Sequence, residues 1–244
     1  MIRLYEPKQW QAEDSLILSD NACHHIRNVL RAEVNDHLIL FNGQGGEYEA
    51  EITEIAKKRV TVKIIRYLAI ERESPLTLHL AQGLTRSDKM DYIVQKATEL
   101  GVTSITPIVA ERSQGRLSTE QAKQKITRLQ QIAIAACEQC GRNRPPPIHA
   151  PVSMREWLEQ TANIPHRYLL LPTIIQQQKE ADTTQPSAIH LLIGPEGGFT
   201  VEENNIALKS GCRSLTLGSR ILRTETASLA AIAVMQWQYG DFSQ

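Results

Sequence analysis

The chain has 244 residues, 41% of them hydrophobic and 22% charged, which suits one large folded domain or two modest ones. Lysine plus arginine (27) balances aspartate plus glutamate (27), so no global field draws the protein to a polyanion, and any nucleic-acid contact has to come from local basic clusters. No apolar run approaches a bilayer span and the opening MIRLYEPKQWQAEDS has no signal-peptide core, so a soluble cytoplasmic protein with no membrane partner is expected.

Residues 1–70 read as β-rich. SLILS (15–19), HLILF (37–41), EYEAEITEI (47–55) and RVTVKIIRYL (59–68) have the alternation and β-branched content of strands, and NGQGG (42–46) invites a hairpin turn. Between the first two, NACHHIRNVLR spaces Ile26, Val29 and Leu30 by three and four, predicting a short helix. Short strands with one helix suggest a small barrel or curled sheet. The charged, proline-ended AIERESP (69–75) marks a boundary, with a first unit over 1–70 and a second over 75–244.

From residue 76 strands and helices alternate. The strands are LTLHLAQ (76–82), SITPIVA (104–110), RYLLLP (167–172), IHLLIG (189–194) and SLTLG (214–218). DKMDYIVQKATEL stops at Gly101, a glycine in the place of a C-terminal cap. Capping-box spacing opens two further helices, at Ser118 with Gln121 and at Thr200 with Glu203. This pattern argues an α/β fold with a mostly parallel sheet covered on both faces. The last helix, TETASLAAIAVMQWQ, is apolar nearly all round, so it is buried either within the chain or partly at a subunit interface. Cys137 and Cys140 have C-x-x-C spacing at a helix end, and the other two cysteines are far away, so no metal or redox site is expected.

In parallel α/β sheets ligands collect beyond the carboxyl ends of strands. Three strand ends here carry unusual turns: LLLPT, LIGPEGGFT and LTLGSRILRTET. Neither the dinucleotide nor the P-loop fingerprint occurs in the glycine turn. Glu196 sits in it, and a phosphate about 4 Å from that carboxylate would be repelled by roughly 4 kcal/mol at an effective dielectric of about 20. A neutral or cationic nucleoside such as S-adenosylmethionine therefore fits better than NAD or ATP. Glu225 suits the first turn of the last helix, whereas Arg223 is disfavoured by the same dipole and is expected to bind an anion or polarise a substrate.

DKMDYIVQKATELGVTSITPIVAERS, EQCGR…PPPI, LLIGPEGGFTVEE and LTLGSRILRTETA, with the N-terminal HHIRNVLR and LFNGQGGEYEAEI, together resemble the 16S ribosomal RNA uridine-N3 methyltransferase family (RsmE type) of the knotted SPOUT methyltransferases. The likeness runs from about residue 20 to the last helix. Cys140 stands where relatives tend to have serine, and Asn35 where glycine is common. The resemblance implies a PUA-like β-barrel at the N-terminus that helps hold RNA. It implies a C-terminal trefoil-knotted α/β domain that binds S-adenosylmethionine and forms a homodimer. It maps the cofactor loops onto Leu171 and Pro172, onto Ile193, Gly194, Gly197 and Gly198, and onto Leu217, Gly218, Ile221, Leu222 and Thr226. The implied product is 3-methyluridine in 16S ribosomal RNA, free or in the assembled small subunit.

For that chemistry Arg223 is the first candidate to stabilise charge spreading over O2 and O4 of uracil, and Glu196 or Glu225 to accept the N3 proton. RNA-holding candidates are Arg3, Arg27, Arg31, Arg86, Lys89, Arg112, Arg116, Arg142 and Arg144. Two rival readings are a non-catalytic RNA-binding or ribosome-assembly protein, and an NAD-type α/β enzyme. The intact GPEGGF and ILRTET turns speak against the first, the missing fingerprint and Glu196 against the second.

Overall fold

A computed structural model describes residues 1–57, 59–113, 118–173 and 186–243. The chain divides into two compact units, Met1–Glu73 with Cys137–Pro145, and Ser74–Ala136 with Pro146–Gln244. Residues 137–145, expected in the larger unit, count with the first. The physical reason is a set of buried polar bonds. The Arg142 guanidinium is buried against Glu73, Asn143 Nδ2 donates to Ile70 O at 2.9 Å, and Arg3 Nη2 donates to Asn143 Oδ1 at 2.6 Å.

In the first unit five strands, β1 (Ile2–Tyr5), β2 (Ser15–Ile17), β3 (His37–Phe41), β4 (Glu47–Ile55) and β5 (Val60–Leu68), form one sheet in the order β1-β3-β4-β5-β2. Strand β1, absent from the sequence reading, pairs parallel to β3, and the other ladders are antiparallel. Inward-facing Leu4, Leu38, Leu40, Ile52, Val62 and Ile64 close a core with Ile26. The expected helix is α1 (Asp20–His24), capped by Ser19, and it loosens into a π-helical turn over His25–Leu30 that stops at Arg31 in the left-handed region (φ 51°). Asn35 has φ 75°, a conformation that glycine adopts freely and asparagine tolerates, which accounts for that departure from the family pattern. Cys137 and Cys140 are free, and burial pushes the Cys137 thiol up to about 12, leaving it protonated and inert.

The second unit is built on six parallel strands, β6 (Thr77–Gly83), β7 (Ser104–Val109), β8 (Val152–Ser153), β9 (Arg167–Leu170), β10 (Ala188–Ile193) and β11 (Arg213–Leu215), ordered β11-β9-β10-β6-β7-β8. One face of the sheet packs Leu78, Leu80, Ile189 and Leu191 against helices α2 (Ser87–Glu99), α3 (Thr119–Cys140) and α6 (Thr224–Tyr239). The other packs Ala81, Leu169 and Leu192 against α4 (Met154–Gln160) and α5 (Val201–Lys209). Both expected capping boxes form, at Ser118 with Gln121 and at Thr200 with Glu203. A third, Ser153 with Glu156, starts α4 with the same spacing. Helix α6 is not buried all round: Val234 and Trp237, three residues apart on one face, are exposed, Trp237 at 65%. No helix among the described residues is long and apolar enough to cross a membrane.

At the amino end of this sheet His79 and His190, from β6 and β10, pack with ring centroids 4.3 Å apart, and His79 Nδ1 lies 2.6 Å from Ser104 Oγ. They line a cavity of about 430 Å³ with His149 and Trp157. Burial, reinforced by His79 and Arg167, pushes His190 down to about 4, and burial with His149 lowers His79. A histidine held below its ordinary 6.5 binds its proton more readily in the unfolded chain, so its stabilisation is complete above about pH 6.5 and is lost as pH falls toward about 4. Thermal melts of wild type and His190→Gln should diverge across that window. The histidine's share of the acid loss should be about 2 kcal/mol after allowance for its remaining solvent contact. Parallel acid profiles for the two proteins would remove His190 from the account.

Candidate active site

Strands β9, β10 and β11 are neighbours and run parallel, so the turns after them meet at one edge of the second unit. They enclose a cavity of about 470 Å³, of a size for a small-molecule ligand. Ten of the eleven expected cofactor residues line it: Leu171, Pro172, Ile193, Gly194, Gly197, Gly198, Leu217, Gly218, Ile221 and Leu222. Thr226 does not. Its side chain is exposed, because two helical residues turn it about 200° from Thr224, which faces the cavity instead.

The glycine turn is held from below. Gly198 N–H donates to Pro195 O at 2.9 Å, with Gly198 at φ 65°. Thr224 Oγ1 donates to Gly194 O at 2.6 Å. Gln82, fully buried, donates through Nε2 to Thr224 Oγ1 at 3.0 Å and to Gly194 O at 3.3 Å, and accepts from Ser228 Oγ. One amide thus joins the end of β6, the turn after β10 and the start of α6. Gln82 was not among the expected site residues, although a glutamine before a glycine at the end of an apolar strand is a readable signal. Gly83 is also required there: a Cβ on it would stand 2.4 Å from the Pro195 nitrogen.

Arg223 is the N-cap residue of α6 and makes no capping bond, although the N-cap normally goes to a short polar side chain. It is exposed in the cavity lining with no ion-pair partner among the described residues. Glu196 lines the cavity too, but Lys89 sits between it and Glu225, with Nζ 3.7 Å from Glu196 Oε1 and 3.6 Å from Glu225 Oε2. Lys89 was expected to hold RNA; the structure places it in this cavity. Lys89, Arg220 and Arg223 line the same space, so the lining is more positive than negative, and selection against polyphosphates cannot rest on Glu196.

The other basic candidates scatter. Arg3 is tied to Glu47 at 2.6 Å and to Asn143, and with Arg72 it holds the Glu47 carboxyl below its usual range against the opposing effect of burial. Arg142 is buried on Glu73, so neither Arg3 nor Arg142 offers a free guanidinium to RNA. Arg112 donates to Gly197 O at 3.0 Å and braces the glycine turn. Arg27 donates to Lys57 O. Arg31, Arg86 and Arg144 are at least partly exposed, the latter two beside Asp88 and Glu71. Arg116 lies outside the described residues. No cluster of three metal-ligating side chains occurs among the described residues.

A parallel α/β unit with this edge cavity, following a small β unit, has close counterparts. The family model described as RNA methyltransferase domain matches residues 72–236, and that described as RNA methyltransferase PUA domain matches residues 18–65. The chain is therefore an RNA methyltransferase with a PUA domain. The ribosomal RNA small subunit methyltransferase E of Buchnera aphidicola is 35% identical over 98% of this chain and 94% of its own. A crystal structure of the enzyme of that name from Neisseria gonorrhoeae, bound to S-adenosyl methionine, is 40% identical with a TM-score of 0.90 over 99% of both chains. A protein of Legionella pneumophila in complex with the cofactor SAM is 40% identical with a TM-score of 0.91, again over 99% of both. The chain belongs to the ribosomal RNA small subunit methyltransferase E family.

Proposed function

We propose that the protein transfers a methyl group from S-adenosylmethionine to N3 of a uridine in 16S ribosomal RNA, free or within the small subunit. The observation that carries this is the cavity formed by the three turns, in a chain of this family. The residues present fit the cofactor. The glycines of the turn leave backbone open to a ligand, and a Cβ on Gly198 would meet nothing within 4 Å. Leu171, Ile193 and Leu222 supply apolar walls for an adenine, and Asn204 Oδ1, buried in the lining, has no hydrogen-bond partner among the described residues. When bound, S-adenosylmethionine supplies a methyl group on a positively charged sulfur.

The protein's task is then orientation and charge control on the uracil side. Arg223 lines the cavity and stabilises the negative charge on O2 and O4 as the N3 proton leaves; Glu196, which lines the same cavity, and Glu225, bridged to it by Lys89, are the candidate acceptors of that proton. The base edge is accessible only when the nucleotide is unpaired or turned out. Arg31, Arg86 and Arg144 remain candidates for phosphate contacts. We assign the second unit the trefoil-knotted SPOUT topology, place the protein in the cytoplasm, and read the exposed α6 face with Val234 and Trp237 as the homodimer surface.

The test is transfer of labelled methyl from S-adenosylmethionine to small subunits and to naked 16S ribosomal RNA, followed by nucleoside analysis. Label in 3-methyluridine is expected. Label on another base, or none with either substrate, overturns the reading.

A further inference from the structure

The turn after β11 brings two arginines to the cavity, Arg220 and Arg223. Arg220 is exposed, and no hydrogen bond or ion pair holds its guanidinium among the described residues. Elsewhere exposed arginines are engaged: Arg59 with Glu54, Arg86 with Asp88, Arg128 with Asp91 and Arg144 with Glu71. A guanidinium left free at a ligand cavity keeps its fork of donors for an anion. Ile221 beside it lines the same cavity and is 86% exposed, whereas Leu222 packs on the core of the second unit. A cation, an apolar side chain and a second cation thus stand out from one short turn.

The charge balance says what they meet. Lys89, Arg220 and Arg223 line the cavity against one carboxylate, Glu196, and that carboxylate already has Lys89 at 3.7 Å. Bound S-adenosylmethionine adds a sulfonium, since its carboxylate is balanced by its own ammonium. The occupied site therefore carries surplus positive charge, which an anionic second substrate offsets. With Arg223 assigned to the charge that develops on uracil, Arg220 is left for a group that is anionic from the start. In RNA that group is the phosphodiester.

We infer that Arg220 binds a phosphodiester flanking the target uridine, with Ile221 against the face of the unpaired base. The turn that walls the cofactor then also grips the RNA strand. This rests on the function proposed above. Arg220 and Arg223 are separated by at most about 10 Å of chain, so a single nucleotide can present its phosphate to one and its base edge to the other.

The experiment measures binding of naked 16S ribosomal RNA, and of a short single-stranded oligonucleotide with one uridine, to protein saturated with S-adenosylhomocysteine, from about 50 to 300 mM salt. Wild type is compared with Arg220→Gln, Arg220→Lys, Ile221→Ala and Arg155→Gln; Arg155 is an exposed arginine on α4 outside the cavity lining. Arg220→Gln should weaken binding about five- to tenfold at about 100 mM salt and reduce the slope of log affinity on log salt by about 0.7–1. Affinity for S-adenosylhomocysteine, by calorimetry, should stay within about twofold. Arg220→Lys should keep the slope and lose about threefold, since an ammonium keeps the charge without the planar fork. Ile221→Ala should lose about threefold with the slope unchanged, since apolar burial releases no counterions. Arg155→Gln should change neither. In the oligonucleotide, a methylphosphonate at one of the two linkages beside the uridine should weaken binding to wild type but not to Arg220→Gln, the mark of a direct pair.

Wild-type affinity and slope in Arg220→Gln, an equal effect of Arg155→Gln, or the absence of such coupling at both linkages overturns the assignment. A loss of S-adenosylhomocysteine affinity with an unchanged salt slope also overturns it, making Arg220 a cofactor ligand, as does a wild type that binds neither RNA. No methyl is transferred in these measurements. A protein inactive toward N3 of uridine would therefore sink the activity reading and leave Arg220 to be judged by binding alone.

Discussion

Arg223→Ser should lower kcat for methyl transfer by about 10²–10³-fold while leaving S-adenosylhomocysteine affinity within about threefold. The two effects separate because the guanidinium stabilises charge that develops on uracil and is not needed to hold the cofactor. The choice of serine sharpens the test. Arg223 occupies the N-cap of α6 without capping it, and a serine there can accept a hydrogen bond from the first turn, worth about 1 kcal/mol. In a chain of this size that gain corresponds to a melting temperature unchanged or raised by about 2–4 °C. A variant at least as stable as wild type but nearly inactive would mean that this position carries a function at the expense of the helix. Turnover close to wild type would remove Arg223 from the chemistry, and a parallel loss of cofactor affinity would make it a cofactor ligand instead.

Gly83→Ala should weaken S-adenosylhomocysteine binding by about 10–100-fold, the equivalent of about 1–3 kcal/mol of overpacking. Gly83 ends β6 beneath the glycine turn, and its added methyl would lie 2.4 Å from the Pro195 nitrogen and 2.8 Å from the Gly194 carbonyl carbon. Both contacts are with backbone, so no side chain can swing aside, and the turn that floors the cavity has to move. Gly198→Ala is the natural comparison. A Cβ there meets nothing within 4 Å, so only the left-handed backbone at φ 65° opposes it, at about 1–2 kcal/mol of stability. Calorimetry and melting curves on the two variants should show a loss of binding in Gly83→Ala beyond its loss of stability. Equal binding in both proteins would show that the turn does not depend on its support from β6.

Most elements were legible because their signals are local. The alternation in HLILF and EYEAEITEI, the capping pairs Ser118 with Gln121 and Thr200 with Glu203, and Gly101 at a helix end each lie within one segment. The glycine- and proline-rich turns after three strands marked the cavity lining for the same reason, since a parallel sheet presents all its carboxyl ends at one edge. Two short strands escaped: β1 pairs with a partner more than thirty residues away, and β8 has only Val152 and Ser153.

Which side chains meet was decided by the tertiary structure. Lys89 on α2 reaches Glu196 and Glu225 because β6 lies beside β10 and α2 packs with α6 on one sheet face, an adjacency that no periodicity encodes. The same holds for Arg142, a candidate to hold RNA that the fold buries on Glu73, and for Gln82, whose amide joins Gly194, Thr224 and Ser228 only once β6, β10 and α6 are assembled. Sequence alone indicated most of the strands and helices and the turns that line the cavity, since propensity and turn chemistry act over a few residues. Strand order and burial settled the charge balance in that cavity, since Coulomb and hydrogen-bond energies depend on distances between segments far apart in the chain.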